Sequence, residues 1–346
     1  MKKRMFIFGC LSMLIIVFAS CENNNFDNFS NETNFNNIYN FSYNTFWATN
    51  DCVYYGKSGF YNLSLFCKDK NGSSKLFDEN DLRKKSNSNE GEIISNIQAV
   101  NKNLYLWFED SGKKQFYKYN KENDTLDKIF EKDFDLDNWV VVQDKLIYSD
   151  TKTHSVFYYD LKLNVDNEIL TNVYKFGIVK NNIRYIYINY KFEINPVKLC
   201  EYNLNNGNKK VLGNLDENVM DNDYIFNFVE NYVVYFNCDK ANILYVYDIK
   251  NKVKSEYNMP NDLVYISCYQ KKCFVVLKGG TENHYQLMIF GIKDGTNKII
   301  KKDIDCQLVN AISDEYAYIV EYSNGLIKNK VNYLLIKSNG VCRKII

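Results

Sequence analysis

The stretch Asn242-Ile-Leu-Tyr-Val-Tyr-Asp-Ile-Lys-Asn251 constrains this chain more than any other feature, because most of the sequence is a series of loose copies of it. Aligned on the last aromatic or apolar residue before a polar turn, the copies fall at Cys67, Tyr119, Tyr159, Tyr202, Tyr247, Phe290 and Ile336, separated by 52, 40, 43, 45, 43 and 46 residues. A period of this size marks a structural unit that buries its faces against copies of itself. A second signature, a polar turn followed by an apolar run, lies upstream of most landmarks. It reads Asp51-Cys-Val-Tyr-Tyr55, Asn103-Leu-Tyr-Leu-Trp107, Lys145-Leu-Ile-Tyr148, Asn231-Tyr-Val-Val-Tyr-Phe236, Lys272-Cys-Phe-Val-Val276 and Glu315-Tyr-Ala-Tyr-Ile319, with a degraded copy at Asn182-Ile-Arg-Tyr-Ile-Tyr187.

From Thr45 onward the runs have strand length, are rich in Val, Ile, Tyr and Phe, and are interrupted by only two prolines, Pro196 and Pro260. Such packets read as strands. The fifth repeat parses into four of them, 225–229, 233–237, 243–248 and 252–257, and a weak helical pattern lies within 78–95. Four antiparallel strands repeated at this period are the blade of a β-propeller. The expected fold is all-β, with seven four-stranded blades, or six or eight if a copy near 78–94 is merged or split. A blade lies between two neighbours, so both faces of its middle strands are covered and its runs can be almost continuously apolar. The 29 Tyr and 23 Phe supply large wedges for the gaps between twisted sheets.

The first residues have a different character. Lys2, Lys3 and Arg4 precede the apolar run Met5–Phe18, and Ala19-Ser20 places small residues before Cys21. This is the pattern of a secretory signal. Phe18-Ala-Ser-Cys21 resembles the lipobox of bacterial lipoproteins, with Phe18 where leucine is more usual. The resemblance implies cleavage before Cys21 and lipidation of that cysteine; an uncleaved anchor or a plain secreted protein are the alternatives. The expected organisation is a signal peptide over 1–20, an Asn-rich tether over 21–44 and a propeller domain over 45–346, anchored by lipid on the outer side of a cell membrane. The aromatics of the tether, among them Phe35 and Phe41 on either side of Ile38, suggest a short strand near 37–43 docked on the first or last repeat, against the alternative of an unstructured leash.

Leu146-Ile-Tyr-Ser-Asp150 and Leu244-Tyr-Val-Tyr-Asp248 give the repeats a loose resemblance to bacterial extracytoplasmic propellers and to the Tyr-Trp-Thr-Asp type of repeat. The Gly-His and Trp-Asp marks of WD repeats are absent, as is the Pro-Asp-Gly signature of Tol-type repeats. The resemblance implies a fold and no particular activity.

The formal net charge of +1, with both signs intermixed, offers no basic stripe and argues against nucleic acid as a ligand. There is no phosphate-binding glycine loop, Gly-x-Ser-x-Gly or His-Glu-x-x-His, and no cofactor is expected. The two histidines, His154 and His284, fall in loops between second and third strands of blades three apart, too distant to share a zinc ion. Asp133, Asp135 and Asp137 imitate the start of a calcium loop, but Asn138 replaces the sharp-turn glycine and Asp144 the bidentate glutamate. A solvated connector is the better reading, and no metal site is expected. Cys52 with Cys67, across one hairpin, and Cys268 with Cys273, across a short turn, are candidate disulfides, with buried free thiols as the alternative.

Two functions fit. The first is a non-catalytic binding or scaffold module, a monomeric domain holding a protein, peptide or glycan. The second is a propeller enzyme, a glycan lyase or hydrolase with acidic groups at the channel mouth. For the first, the partner is expected on the face shared by the blade connections and the loops between second and third strands, with Phe134, Trp139, Tyr190, Phe192, Glu193, His284 and Tyr285 as exposed anchors. The alternative is that these aromatics fold back onto the rim.

Overall fold

The computed structural model describes residues 38–39, 46–48, 52–58, 63–69, 71–100, 102–189, 197–215, 223–280, 284–305, 308–323 and 330–344. The signal segment, Cys21 and most of the tether lie outside the described residues.

The chain is a seven-bladed β-propeller, each blade an antiparallel sheet of four strands consecutive in sequence. The blades span 46–78, 92–132, 136–170, 173–215, 224–258, 263–304 and 308–344. The first strands of neighbouring blades touch, so each blade begins at the axis and works outward. All seven sequence landmarks lie in third strands, and the second signature marks the second strands. In the fifth blade the observed strands are Tyr224–Val229, Tyr232–Asn237, Ile243–Asp248 and Val253–Asn258, within a residue of the expected ones. The long first interval contains a helix, Glu79–Ser86, started by a reciprocal Asp78/Asp81 capping box and ended by Asn87 in the left-handed conformation.

The landmark pattern has a local cause. In blades two to five the residue after the landmark, Asn120, Asp160, Asn203 or Asp248, accepts the backbone N–H groups two and three residues on, at 2.9–3.3 Å. The fourth residue after it takes a positive φ, at Asp124, Asn164, Gly207 and Lys252. Asp and Asn close such turns with their own side chains, which is why an aromatic-Asx pair recurs at the end of each of these third strands.

The core lies between blades. Trp107, Phe116, Tyr148, Phe134 and Trp139 interlock between blades two and three at centroid distances of 5.0–6.0 Å. Near the axis the blades approach so closely that a Cβ on Gly177 would stand 2.7 Å from the Phe228 ring. Buried amides stitch the inner strands together. Gln98 bonds both the N–H and the C=O of Val141 (2.6 and 2.9 Å), and Asn227 accepts from Cys268 N–H and donates to Ile266 C=O (both 3.0 Å). These side chains complete backbone groups that no strand pairs across the blade gap.

Blade seven uses its own outer strand, Cys342–Lys344, so the ring closes without sharing a blade. At the seam Arg343 lies close enough to Lys68 of blade one that its charge, after burial, lowers the lysine's pKa. One strand stands apart from the pattern. Ile38–Tyr39 pairs antiparallel with the inner strand of blade four, Ile38 opposite Val179 and Tyr39 opposite Ile178. The expected docking on the first or last repeat is corrected to the fourth, whose inner edge offers backbone groups for pairing.

Candidate functional site

A notch of about 260 Å³ opens on the face that carries the blade connections, where blades three, four and five meet. Asp137 reaches it from the first strand of blade three, Ser149 and Asp150 from the end of the second, and Thr151 and His154 from the following loop. Val173, Tyr174, Lys175 and Phe176 come from the first strand of blade four, Ile188 from just past its second, and Asp223 from the residue before blade five. Two turns shape the wall. His154 has φ 51° and its carbonyl accepts the Val173 N–H at 2.8 Å, while Asn172 has φ 58° and its carbonyl accepts the Ile188 N–H at 2.9 Å.

The three carboxylates stand in different conditions. Asp150 is buried and accepts from Asp135 N–H, Lys152 N–H (both 3.1 Å) and the Thr153 hydroxyl (3.0 Å), which makes it a structural acceptor. Asp137 pairs with Lys175 at 3.3 Å and takes the Asn138 amide at 2.7 Å. Asp223 is exposed, with one oxygen 3.5 Å from the Tyr174 hydroxyl. That hydroxyl accepts the Tyr224 N–H at 3.2 Å. Burial, and to a lesser degree the Asp223 charge, hold Tyr174 above the ordinary phenol range, so it remains a neutral donor and acceptor. Val173, Phe176 and Ile188 supply the apolar part of the lining. The notch therefore has a greasy wall, a neutral hydroxyl and an excess of negative charge beside one paired lysine.

The expected site residues are dispersed. Phe134 and Trp139 are 3% and 2% exposed, in the wedge between blades two and three, so their reading as exposed anchors is corrected. The apolar gap between twisted sheets takes them up despite their acidic neighbours. Tyr190, Phe192 and Glu193 lie outside the described residues. His284 is exposed and Tyr285 half-buried on blade six, apart from the notch. Asp133, Asp135 and Asp137 do not converge: Asp133 is exposed, Asp135 pairs with Lys152 at 3.5 Å and Asp137 with Lys175. Among the described residues no group of three or more His, Cys, Asp or Glu side chains is placed to hold a metal ion. Cys268 and Cys273, directly opposite in one hairpin, form a disulfide, whereas Cys52 and Cys67 are buried free thiols. The Cys67 thiol contacts Cys52 and is raised well above the usual range by that contact and by burial, and Lys121 Nζ lies 3.3 Å from its sulfur.

The loop face is where the sequence places a partner, and Asp137 and His154 stand out in the sequence for other reasons. Asp150, Tyr174, Lys175 and Asp223 do not stand out at all, because they come from three blades and no linear motif joins them.

No protein-family model matches the chain. No curated protein matches it in sequence. Solved structures match its fold. An oligogalacturonate lyase from Vibrio parahaemolyticus aligns with a TM-score of 0.54 at 10% identity, over 70% of this chain and 74% of that one. An oligogalacturonate lyase in complex with manganese gives 0.57 at 8% identity, over 85% and 84%. A post-proline cleaving enzyme from Rickettsia typhi gives 0.58 at 11% identity, over 93% of this chain and 55% of that one. At these identities the likeness is one of fold.

Proposed function

We propose that this chain is a non-catalytic binding module, held to the outer side of a membrane through a lipidated Cys21, that receives a protein or peptide partner on its loop face. The observation that carries the reading is the chemistry of the notch. Asp150 and Asp137 are committed to structural donors, which leaves them poor candidates for an acid/base pair. The exposed Asp223, the neutral Tyr174 hydroxyl and the apolar wall suit a lysine or arginine side chain, whose stem would lie on Val173, Phe176 and Ile188 with its cation at Asp223. A glycan partner would instead use the hydroxyl and carboxylates as hydrogen-bond acceptors.

Short peptides bearing one central Lys, Glu or norleucine, titrated against the whole chain by fluorescence anisotropy, test this. The lysine peptide should bind best, and Asp223→Lys should weaken it by about tenfold, a change of about 1.4 kcal/mol. Asp144→Lys, in an exposed turn of the opposite face, should leave binding and melting unchanged. Equal affinity for all three peptides would refute the notch as a basic-residue pocket. Turnover of an acidic oligosaccharide would favour the enzyme reading.

A further inference from the structure

The Ile38–Tyr39 strand has a consequence for the channel. The first strand of each blade lies at the axis and presents its inner edge to the channel. An edge of this kind is a template for an added strand. Blade four alone among the described sheets has five strands, and the fifth, Ile38–Tyr39, lies on that inner edge. Only six residues separate Tyr39 from Phe46, which opens the inner strand of blade one, so this part of the chain spans at most about 25 Å. Blades one and four are three steps apart in a ring of seven, nearly diametrically opposed. Blade one also stands at the seam, where no strand is shared with blade seven. The segment therefore starts on one wall of the channel and ends on the other, at the point where the ring is weakest.

Direction adds a second element. The inner strand of blade four runs from the notch at Val173–Phe176 towards the hairpin face at Val179, and Ile38–Tyr39 runs the opposite way. The chain before Ile38 thus approaches from the hairpin face.

We infer that the segment ahead of blade one is a built-in channel strand, which adds to the inner edge of blade four, braces the ring across its axis against opening at the seam, and fills the channel with the protein's own backbone. This does not depend on the peptide-binding reading, and it moves ligand binding from the channel to the notch.

Hydrogen exchange by mass spectrometry on the chain from residue 21 to 346 tests it. Residues 36–41 should exchange at least about tenfold more slowly than residues 22–34. A double variant, Ile38→Pro with Tyr39→Pro, removes the donors of the added strand. It should abolish that protection, speed exchange at 175–180 and lower the melting temperature, whereas Asn31→Pro with Glu32→Pro should do none of these. Exchange of 36–41 in the parent chain as fast as 22–34, or unchanged exchange at 175–180 in the Ile38/Tyr39 double variant, would overturn the inference. Peptide binding measured on the same proteins separates this outcome from a failure of the notch.

Discussion

Among single residues, the aromatic-Asx pair explains why the repeat is legible. The third strand needs an apolar residue facing the neighbouring blade, and the turn after it needs a short acceptor for two backbone N–H groups, so both requirements leave a mark in adjacent letters. Asp160 also reports on pH, because bonds from the Leu163 and Lys162 N–H groups hold its carboxyl below the ordinary range. A depressed folded-state pKa gives stability that is present above the unfolded value and lost as pH falls through the folded one. Asp160→Asn keeps the acceptor, as Asn120 and Asn203 do in their blades, so it should leave the urea midpoint at neutral pH nearly unchanged and flatten its decline below about pH 4. At the other extreme, Tyr117 and Tyr119 are pushed up to about 12, chiefly by burial. Their neutral forms belong to the fold, so stability should decline between about pH 10 and 12, and Tyr119→Phe should reduce that slope. Phe134 and Trp139 show what single letters hide. Their acidic neighbours suggest solvent, but which way each ring turns is set by the gap between two sheets.

Among elements, strand identity follows from local pattern, whereas the joints between blades do not. Gln98 and Asn227 sit in inner strands where a polar letter reads as a break in an apolar run, yet each completes an N–H and a C=O of the next blade. Replacing either by leucine strands two buried backbone groups, and urea unfolding should show a loss of about 2–4 kcal/mol. The same substitution at the exposed Asn123 should cost little. The Cys268–Cys273 disulfide closes a very short loop, so the paired serine variant should lose about 2 kcal/mol, well below a bridge across a long one. The Glu79–Ser86 helix is faintly legible through its caps and accounts for the one long interval between landmarks.

For the molecule as a whole, the ring makes each blade depend on its neighbours and leaves no internal boundary. Truncation at residue 300, which removes blade seven and splits blade six, should abolish cooperative melting; a sharp transition close to the parent's would argue against a closed ring. The notch follows from the same closure. Asp150, Tyr174 and Asp223 meet because three consecutive blades turn the same ends of their strands to one face, a juxtaposition that exists only once the ring has formed. Whether this face binds a partner without transforming it can be read from hydrogen exchange of the whole chain with and without the lysine peptide. Slower exchange should be confined to 149–154 and 173–176, with the peptide recovered intact; protection centred on the hairpin turns such as 161–164, or conversion of the peptide, would be incompatible with a binding notch.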